Sequence, residues 1–145
     1  MSVKVEDFLT ASQEKAIVDA IRKAESLTSG EIRVHLESHC DAPITRAQEL
    51  FHLLKMDNTK EENGILFYVA VNDKKFALIG DKGIHAKVGD DFWTSVKDVV
   101  LSRFRESEFQ NGLVQGIELV SEKLATYFPW DENDVNELPD EISVS

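Results

Sequence analysis

The stretch that decides the fold runs from residue 63 to residue 91 and reads NGILFYVAVNDKKFALIGDKGIHAKVGDD. Residues 65–71 are apolar at both odd and even positions, which is typical of a central strand covered on both faces. A short turn leads into residues 75–80, which we predict to return as an antiparallel strand. Residues 80–91 are acidic and contain three glycines, so we predict a loop that leads into a helix.

Two helices and one strand are predicted before this stretch. Thr10 and Gln13 have the spacing of a capping box, and apolar residues follow at helical spacing. Residues 31–38 (EIRVHLES) alternate between apolar and polar side chains, which predicts a strand with one solvated or partly covered face. Residues 43–56 follow as a second helix, with Pro43 at its first position.

The order of these elements predicts an α/β fold, a three-layer α/β/α sandwich around a small mixed sheet of Rossmann-like type. Two more helices are expected, one beginning at Asp90 or Asp91 and one capped by Asn111. The helix between the first two strands is a crossover, which makes those strands parallel. Loops 57–63 and 80–91 are therefore expected at the same edge of the sheet.

Composition limits the classes of function. The 145 residues predict one domain, residues 10–128, with an N-terminal arm at 1–9 and a flexible acidic tail at 129–145. The formal charge of −11 argues against binding to nucleic acids or anionic membranes. No secretory signal is visible, and the longest apolar run is too short to span a bilayer, so we expect a cytoplasmic protein without membrane insertion.

Acidic side chains concentrate at the predicted sheet edge. Converging carboxylates repel one another, and a hard cation with oxygen ligands relieves that repulsion. We therefore expect Ca²⁺ or Mg²⁺ there. The predicted metal-binding residues are Glu31, Asp57, Glu62, Asn63, Asp81, Asp90 and Asp91, with Glu61 beside them. The structural alternative is that Asp90 or Asp91 caps the third helix and that Asp57 is an ordinary loop residue.

Catalytic candidates are few. His85 lies in the acidic loop and is the one histidine kept as an acid–base candidate, together with Asp81 and Asp91. His35 and His52 are predicted to be solvated, on a strand and on a helix surface. The chain contains no Walker loop, dinucleotide fingerprint, EF-hand loop or nucleophile elbow.

Four pieces of the sequence, SGEIRVHL, RAQELF, NGILFYVAVNDKKFALIGDKGI and FQNGLVQGIELV, occur in an order that resembles the TPM domain. This family is named after thylakoid-lumen, photosystem-repair and worm membrane-modulator (MOLO-type) proteins, and the similarity spans residues 10–128. The resemblance implies an α/β/α sandwich with an acidic cleft for Ca²⁺ or Mg²⁺, and an acid phosphatase activity in plant members. By position, Glu31, Asn63, Asp81 and Asp90 or Asp91 fall where the family keeps its polar cleft residues.

The chain also departs from this family. Members often read GYGLEG after the third strand, whereas residues 80–85 here read GDKGIH. Asp81 thus replaces an aromatic residue and shifts the acidic positions, which weakens any transfer of phosphatase chemistry. Many members carry a signal peptide and a transmembrane helix, and this chain shows neither, so we expect a stand-alone soluble member of bacterial type.

Three hypotheses follow for the function. The first is a metal-binding module with a binding or regulatory role. The second is a metal-assisted phosphatase, in which the cation polarises a phosphoryl oxygen and Asp81 or Asp91 activates water. The third is an adaptor that binds a protein partner through the acidic tail and has no metal.

Overall fold

The computed structural model describes residues 4–130 and 142–145. The four strands form one mixed sheet in the order β3-β2-β1-β4. β1 is parallel to β2 and to β4, and β3 is antiparallel to β2. In chain order the elements are α1 (Ala11–Glu25), β1 (Glu31–Glu37), α2 (Pro43–Leu53), β2 (Gly64–Ala70), β3 (Lys75–Gly80), α3 (Lys82–Val88), α4 (Asp90–Arg105), α5 (Phe109–Tyr127) and β4 (Ser143–Val144).

Helices cover both faces of the sheet and form the predicted α/β/α sandwich. The larger core combines one sheet face with side chains of α1, α3, α4 and α5, and the alternate β1 residues Ile32, Val34 and Leu36 belong to it. α2 covers the other face with a smaller core that includes Leu50 and Phe51. β2 is buried along its whole length, as expected of a central strand covered on both faces.

The register of the strands determines which residues share an end of the sheet. Glu31 lies opposite Gly64 and Glu37 lies opposite Ala70 in the parallel pair. Gly80 lies opposite Ile65 in the antiparallel pair. The starts of β1 and β2 and the end of β3 therefore meet at one end of the sheet, which confirms the prediction from the crossover topology.

Two predictions about helices were wrong. Residues 82–88 form α3 instead of a loop, because the Asp81 carboxylate caps the helix by accepting a hydrogen bond from the Lys82 N–H at 2.8 Å. Gly89 ends this helix with a left-handed φ of 77°, a conformation that favours glycine. Asn111 is not a cap, since α5 begins at Phe109.

Segments outside the predicted domain also join the fold. Val5 and Leu9, from the predicted arm, are buried in the larger core. Ser143 and Val144, from the predicted tail, form β4 beside β1. Most of that tail, residues 131–141, lies outside the described residues.

His35 is buried at the contact between β1 and β4, so the prediction that it is solvated was wrong. Only 2% of the residue is exposed. Its Nδ1 lies 2.7 Å from the Ser143 hydroxyl and its Nε2 lies 2.6 Å from the Ser145 hydroxyl. The Tyr68 ring is stacked beside it, with 6.2 Å between the ring centroids.

Glu37 connects the polar groups around His35. Its carboxylate accepts hydrogen bonds from Arg46 Nη2 at 2.7 Å, Tyr68 OH at 2.6 Å and Ser145 Oγ at 2.9 Å. The Arg46 hydrogen bond, reinforced by those from Tyr68 and Ser145, lowers the pKa of Glu37 to about 2. Glu37 is therefore ionised at neutral pH and binds β4 to α2 and β2.

We predict that His35 makes the protein sensitive to acid. The pKa of His35 is lowered to about 4, chiefly by burial; the charge of Glu37 opposes this shift, and the charges of Arg46 and Arg33 add to it. In the unfolded chain a histidine binds a proton near pH 6.5, so protons favour the unfolded state as the pH falls from about 6.5 to 4. The free energy of unfolding should fall by about 3 kcal/mol over this range, measured by urea denaturation.

The variants His35→Gln and His39→Gln test this assignment. His39 is an exposed residue paired with Asp73 at 3.0 Å, so its replacement should leave the pH dependence in place. His35→Gln should remove most of the pH dependence of the free energy of unfolding. An unchanged pH dependence in His35→Gln would contradict the assignment.

Candidate functional site

Three predicted ligands lie at the end of the sheet where β1 and β2 begin and β3 ends. Glu31 is 3% exposed and Asn63 is 1% exposed. The Asp81 N–H donates a hydrogen bond to the Gly64 carbonyl at 2.9 Å, and Gly64 is the register partner of Glu31. We call Glu31, Asn63 and Asp81 the sheet-end site.

Two oxygens of the sheet-end site are buried without a hydrogen-bond partner among the described residues: Asn63 Oδ1 and Asp81 Oδ2. The other polar atom of each side chain is engaged. Asn63 Nδ2 donates to Ser29 Oγ at 3.2 Å, and Asp81 Oδ1 accepts from the Lys82 N–H at 2.8 Å. Because buried polar atoms almost always have partners, and a bare one costs about 1–3 kcal/mol, these oxygens fit the ligand set of a hard cation.

The charge around Asp81 is also unfavourable for a bare carboxylate. Burial is the largest cause that raises the pKa of Asp81, and the negative charges of Glu62 and Asp57 raise it further. The hydrogen bond from the Lys82 N–H acts in the opposite direction. A cation near Asp81 would offset both the cost of burying its negative charge and the repulsion from Glu62 and Asp57.

Close packing between α3 and the preceding loop holds the site together. The Gly83 N–H donates to the Glu62 carbonyl at 2.8 Å. A Cβ atom at Gly83 would overlap the Glu61 carbonyl oxygen and lie 2.7 Å from that of Glu62. Glu62 itself has a left-handed φ of 54°, which is uncommon for a residue other than glycine. Gly83 is thus required for α3, which Asp81 caps, to pack directly against the main chain of residues 61 and 62.

Asp90 and Asp91 lie away from Asp81. The seven residues of α3 separate them from it, which corresponds to about 10 Å along the helix axis. Both occupy the first turn of α4, where a carboxylate interacts favourably with the helix dipole, although the N-cap residue is Gly89. The Asp90 side chain is 94% exposed, and its Oδ1 lies 3.5 Å from His85 Nε2.

His85 and Asp57 each have a specific partner. Trp93 Nε1 donates to His85 Nδ1 at 2.9 Å. Since an indole N–H can only donate, the neutral ring carries its proton on Nε2 and has no free lone pair to act as a base. The Asp57 carboxylate lies 2.8 Å from His52 Nδ1, and this hydrogen bond lowers the pKa of Asp57. His52 is exposed on α2, as predicted.

The described residues limit the kind of metal site that can form. Within residues 4–130 and 142–145, no three His, Cys, Asp or Glu side chains form a group that could hold a metal ion. The sheet-end site offers two carboxylates and one amide, and Mg²⁺ characteristically binds through one or two carboxylates while it keeps several waters. Of the five predicted or neighbouring residues that line a separate cleft of about 380 Å³, only Asp57 is a predicted ligand; the lining is His52, Leu53, Lys55, Asp57 and Asn58.

Two residues that position Asn63 were not predicted. The Thr59 hydroxyl accepts a hydrogen bond from the Asn63 N–H at 3.2 Å, and the Ser29 hydroxyl accepts from its amide group. Thr59 is buried although it lies in a polar loop. Small hydroxyl residues in turns are common, so the sequence pattern does not distinguish these two from solvated ones.

The fold and the sheet-end site define an α/β/α domain with buried polar side-chain oxygens at one end of its sheet. The chain belongs to the TPM domain family, whose profile matches residues 2–123. It is 55% identical to the BA42 protein of the psychrophilic bacterium Bizionia argentinensis, whose NMR structure superimposes with a TM-score of 0.89. That match covers 98% of this chain and 99% of the BA42 protein.

Two further solution structures share the fold. The N-terminal domain of a P. gingivalis protein has a TM-score of 0.68 and 22% identity, with coverage of 84% of this chain and 80% of that one. The N-terminal domain of a Corynebacterium glutamicum protein has a TM-score of 0.59 and 14% identity, with coverage of 80% and 74%. No protein of curated function matches the sequence. Among the described residues, no helix has the length and hydropathy needed to cross a membrane.

We predict that Gly83→Ala destabilises the domain by about 1–3 kcal/mol, because the added methyl group overlaps main-chain oxygens that cannot rotate away. Urea denaturation measures this change. Lys87→Ala, at an exposed position of the same helix, is the matched control and should change stability by less than about 0.5 kcal/mol. Equal stability of Gly83→Ala and wild type would show that α3 does not depend on this close approach.

Proposed function

We propose that this TPM domain binds a divalent cation, Ca²⁺ or Mg²⁺, at the sheet-end site, and that its role is binding or regulatory. The observation that carries the proposal is the pair of buried oxygens without hydrogen-bond partners, Asn63 Oδ1 and Asp81 Oδ2. A cation supplies both the missing coordination and the positive charge that neighbouring carboxylates require. Glu31, buried at the same end of the sheet, provides a further carboxylate.

Each of the two oxygens without a partner belongs to a side chain whose other polar atom is already hydrogen-bonded. Asp81 would bind the cation through Oδ2 while its Oδ1 keeps the cap on α3. Asn63 would bind through Oδ1 while its amide nitrogen keeps the contact with Ser29. Since both side chains are fixed by their second polar atom, little conformational entropy is lost on binding.

The small number of protein ligands favours a cation that retains water. Two carboxylates and one amide leave several coordination positions for water, as is usual for Mg²⁺, whereas a tight Ca²⁺ site uses six to eight oxygens, most of them from the protein. We therefore expect modest affinity, with Mg²⁺ binding at least as well as Ca²⁺.

We predict that Mg²⁺ or Ca²⁺ raises the free energy of unfolding of the chelator-treated protein. A ligand that binds only the folded state at a hundredfold excess over its Kd adds about 2.7 kcal/mol. Thermal denaturation with and without cation measures the gain. Asp81→Asn should abolish this cation-dependent gain in stability. Asp98→Asn, which removes an exposed carboxylate from α4, should retain the gain.

The stabilities of the cation-free wild type and Asp81→Asn show whether the substitution affects cation binding or the fold itself. Asparagine is as good a helix cap as aspartate, and Asp81→Asn removes a carboxylate whose pKa is raised by burial and repulsion. Without cation, Asp81→Asn should therefore be at least as stable as wild type. The same cation-dependent gain in Asp81→Asn as in wild type would contradict the proposal. If the cation-loaded wild type hydrolyses a phosphoester and Asp81→Asn does not, the proposal would extend to an enzymatic function.

A further inference from the structure

Residues 142–145 cover the side edge of β1 through few contacts. Only His35 and Leu36 of β1 have partners in β4. The Ser145 N–H donates to the Leu36 carbonyl at 3.0 Å, and Ile142 is partly buried against the larger core. Val144 is 47% exposed. The segment is thus held by a short ladder, one apolar side chain and its hydroxyl groups.

The hydroxyl contacts form a site that recognises serine at two alternate positions. A neutral imidazole has one donor and one acceptor nitrogen, and a hydroxyl can serve either. Ser143 bonds one ring nitrogen of His35 and Ser145 bonds the other, while Ser145 also donates to Glu37 at 2.9 Å. Without these hydroxyls the buried ring would lose both partners, which carries the cost of unsatisfied polar atoms.

We propose that the side edge of β1, with His35 and Glu37, is a docking site for an extended segment of a partner protein with the pattern apolar-Ser-X-Ser, and that residues 142–145 occupy this site within the chain. Strand addition at a sheet edge uses main-chain hydrogen bonds for affinity and side-chain pockets at alternate positions for specificity. Ile142, Ser143 and Ser145 show which side chains the pockets accept.

The charge of the chain distinguishes a partner protein from a second copy. At −11, two copies repel each other, whereas a segment flanked by Lys or Arg is attracted. A partner must also compete with the chain's own segment, and a competitor within the same chain acts at an effective concentration on the order of millimolar. Residues 142–145 therefore act as an internal competitor that sets the affinity required of the partner.

The test uses the full chain and a labelled peptide, Lys-Lys-Ile-Ser-Val-Ser. In the variant Ser143→Ala with Ser145→Ala, the internal segment has lost its hydroxyl contacts with His35. The peptide should bind this variant at least about tenfold more tightly than wild type. Ser102→Ala, an exposed substitution on α4, is the control and should behave as wild type.

Two further measurements identify the site. A peptide with both serines replaced by alanine should bind the double variant at least about tenfold more weakly, since two hydroxyl contacts of about 1 kcal/mol each are lost. Amide shifts in NMR spectra should centre on residues 34–37 of β1. If the double variant does not fold, the same titration of wild type at millimolar peptide tests the same shifts.

Three results would overturn the proposal. The first is equal binding of the serine and alanine peptides, and the second is shifts that lie away from β1. The third is concentration-dependent dimerisation of the double variant without peptide binding, which would assign the edge of β1 to a second copy of this chain.

Discussion

The parallel register between β1 and β2 is the constraint on which both polar regions of this protein depend. It places Glu31 opposite Gly64 and Glu37 opposite Ala70. The first pair fixes the end of the sheet at which Asn63 and Asp81 lie. The second fixes the end at which Glu37 binds Arg46 from α2. A slip of one residue would turn every β1 side chain to the opposite face and disrupt both regions.

The two polar regions differ in how their buried groups are satisfied. Around Glu37, donors from Arg46, Tyr68 and Ser145 meet one carboxylate, so its pKa falls and its charge is stabilised. At the sheet-end site, Asn63 and Asp81 each retain a buried oxygen without a partner, and burial with neighbouring charges raises the pKa of Asp81. The first arrangement, a partly buried carboxylate with several donors, is typical of a structural contact, whereas the second, with buried oxygens short of donors, is the observation on which the proposed cation site rests.

Much of this architecture could be predicted from the sequence, because hydrophobic periodicity and crossover topology determine which strand ends meet. The location of Glu31, Asn63 and Asp81 at one end of the sheet follows from that topology. The helix α3 could not be predicted, since the glycine at position 83 is required by a close main-chain contact and looks like a loop signal. The burial of His35 was also missed, because the segment that covers it, residues 143–145, follows an acidic stretch and is too short for its apolar–polar alternation to predict a strand.

The most direct test of the central claim is a two-dimensional NMR titration of the cation-free protein, first with Mg²⁺ and then with Ca²⁺. The account predicts saturable shifts of the amides near residues 31, 62–64 and 80–83, together with the side-chain amide of Asn63. Shifts confined to the acidic residues 131–141, or no shifts at all, would contradict a cation site at the end of the sheet.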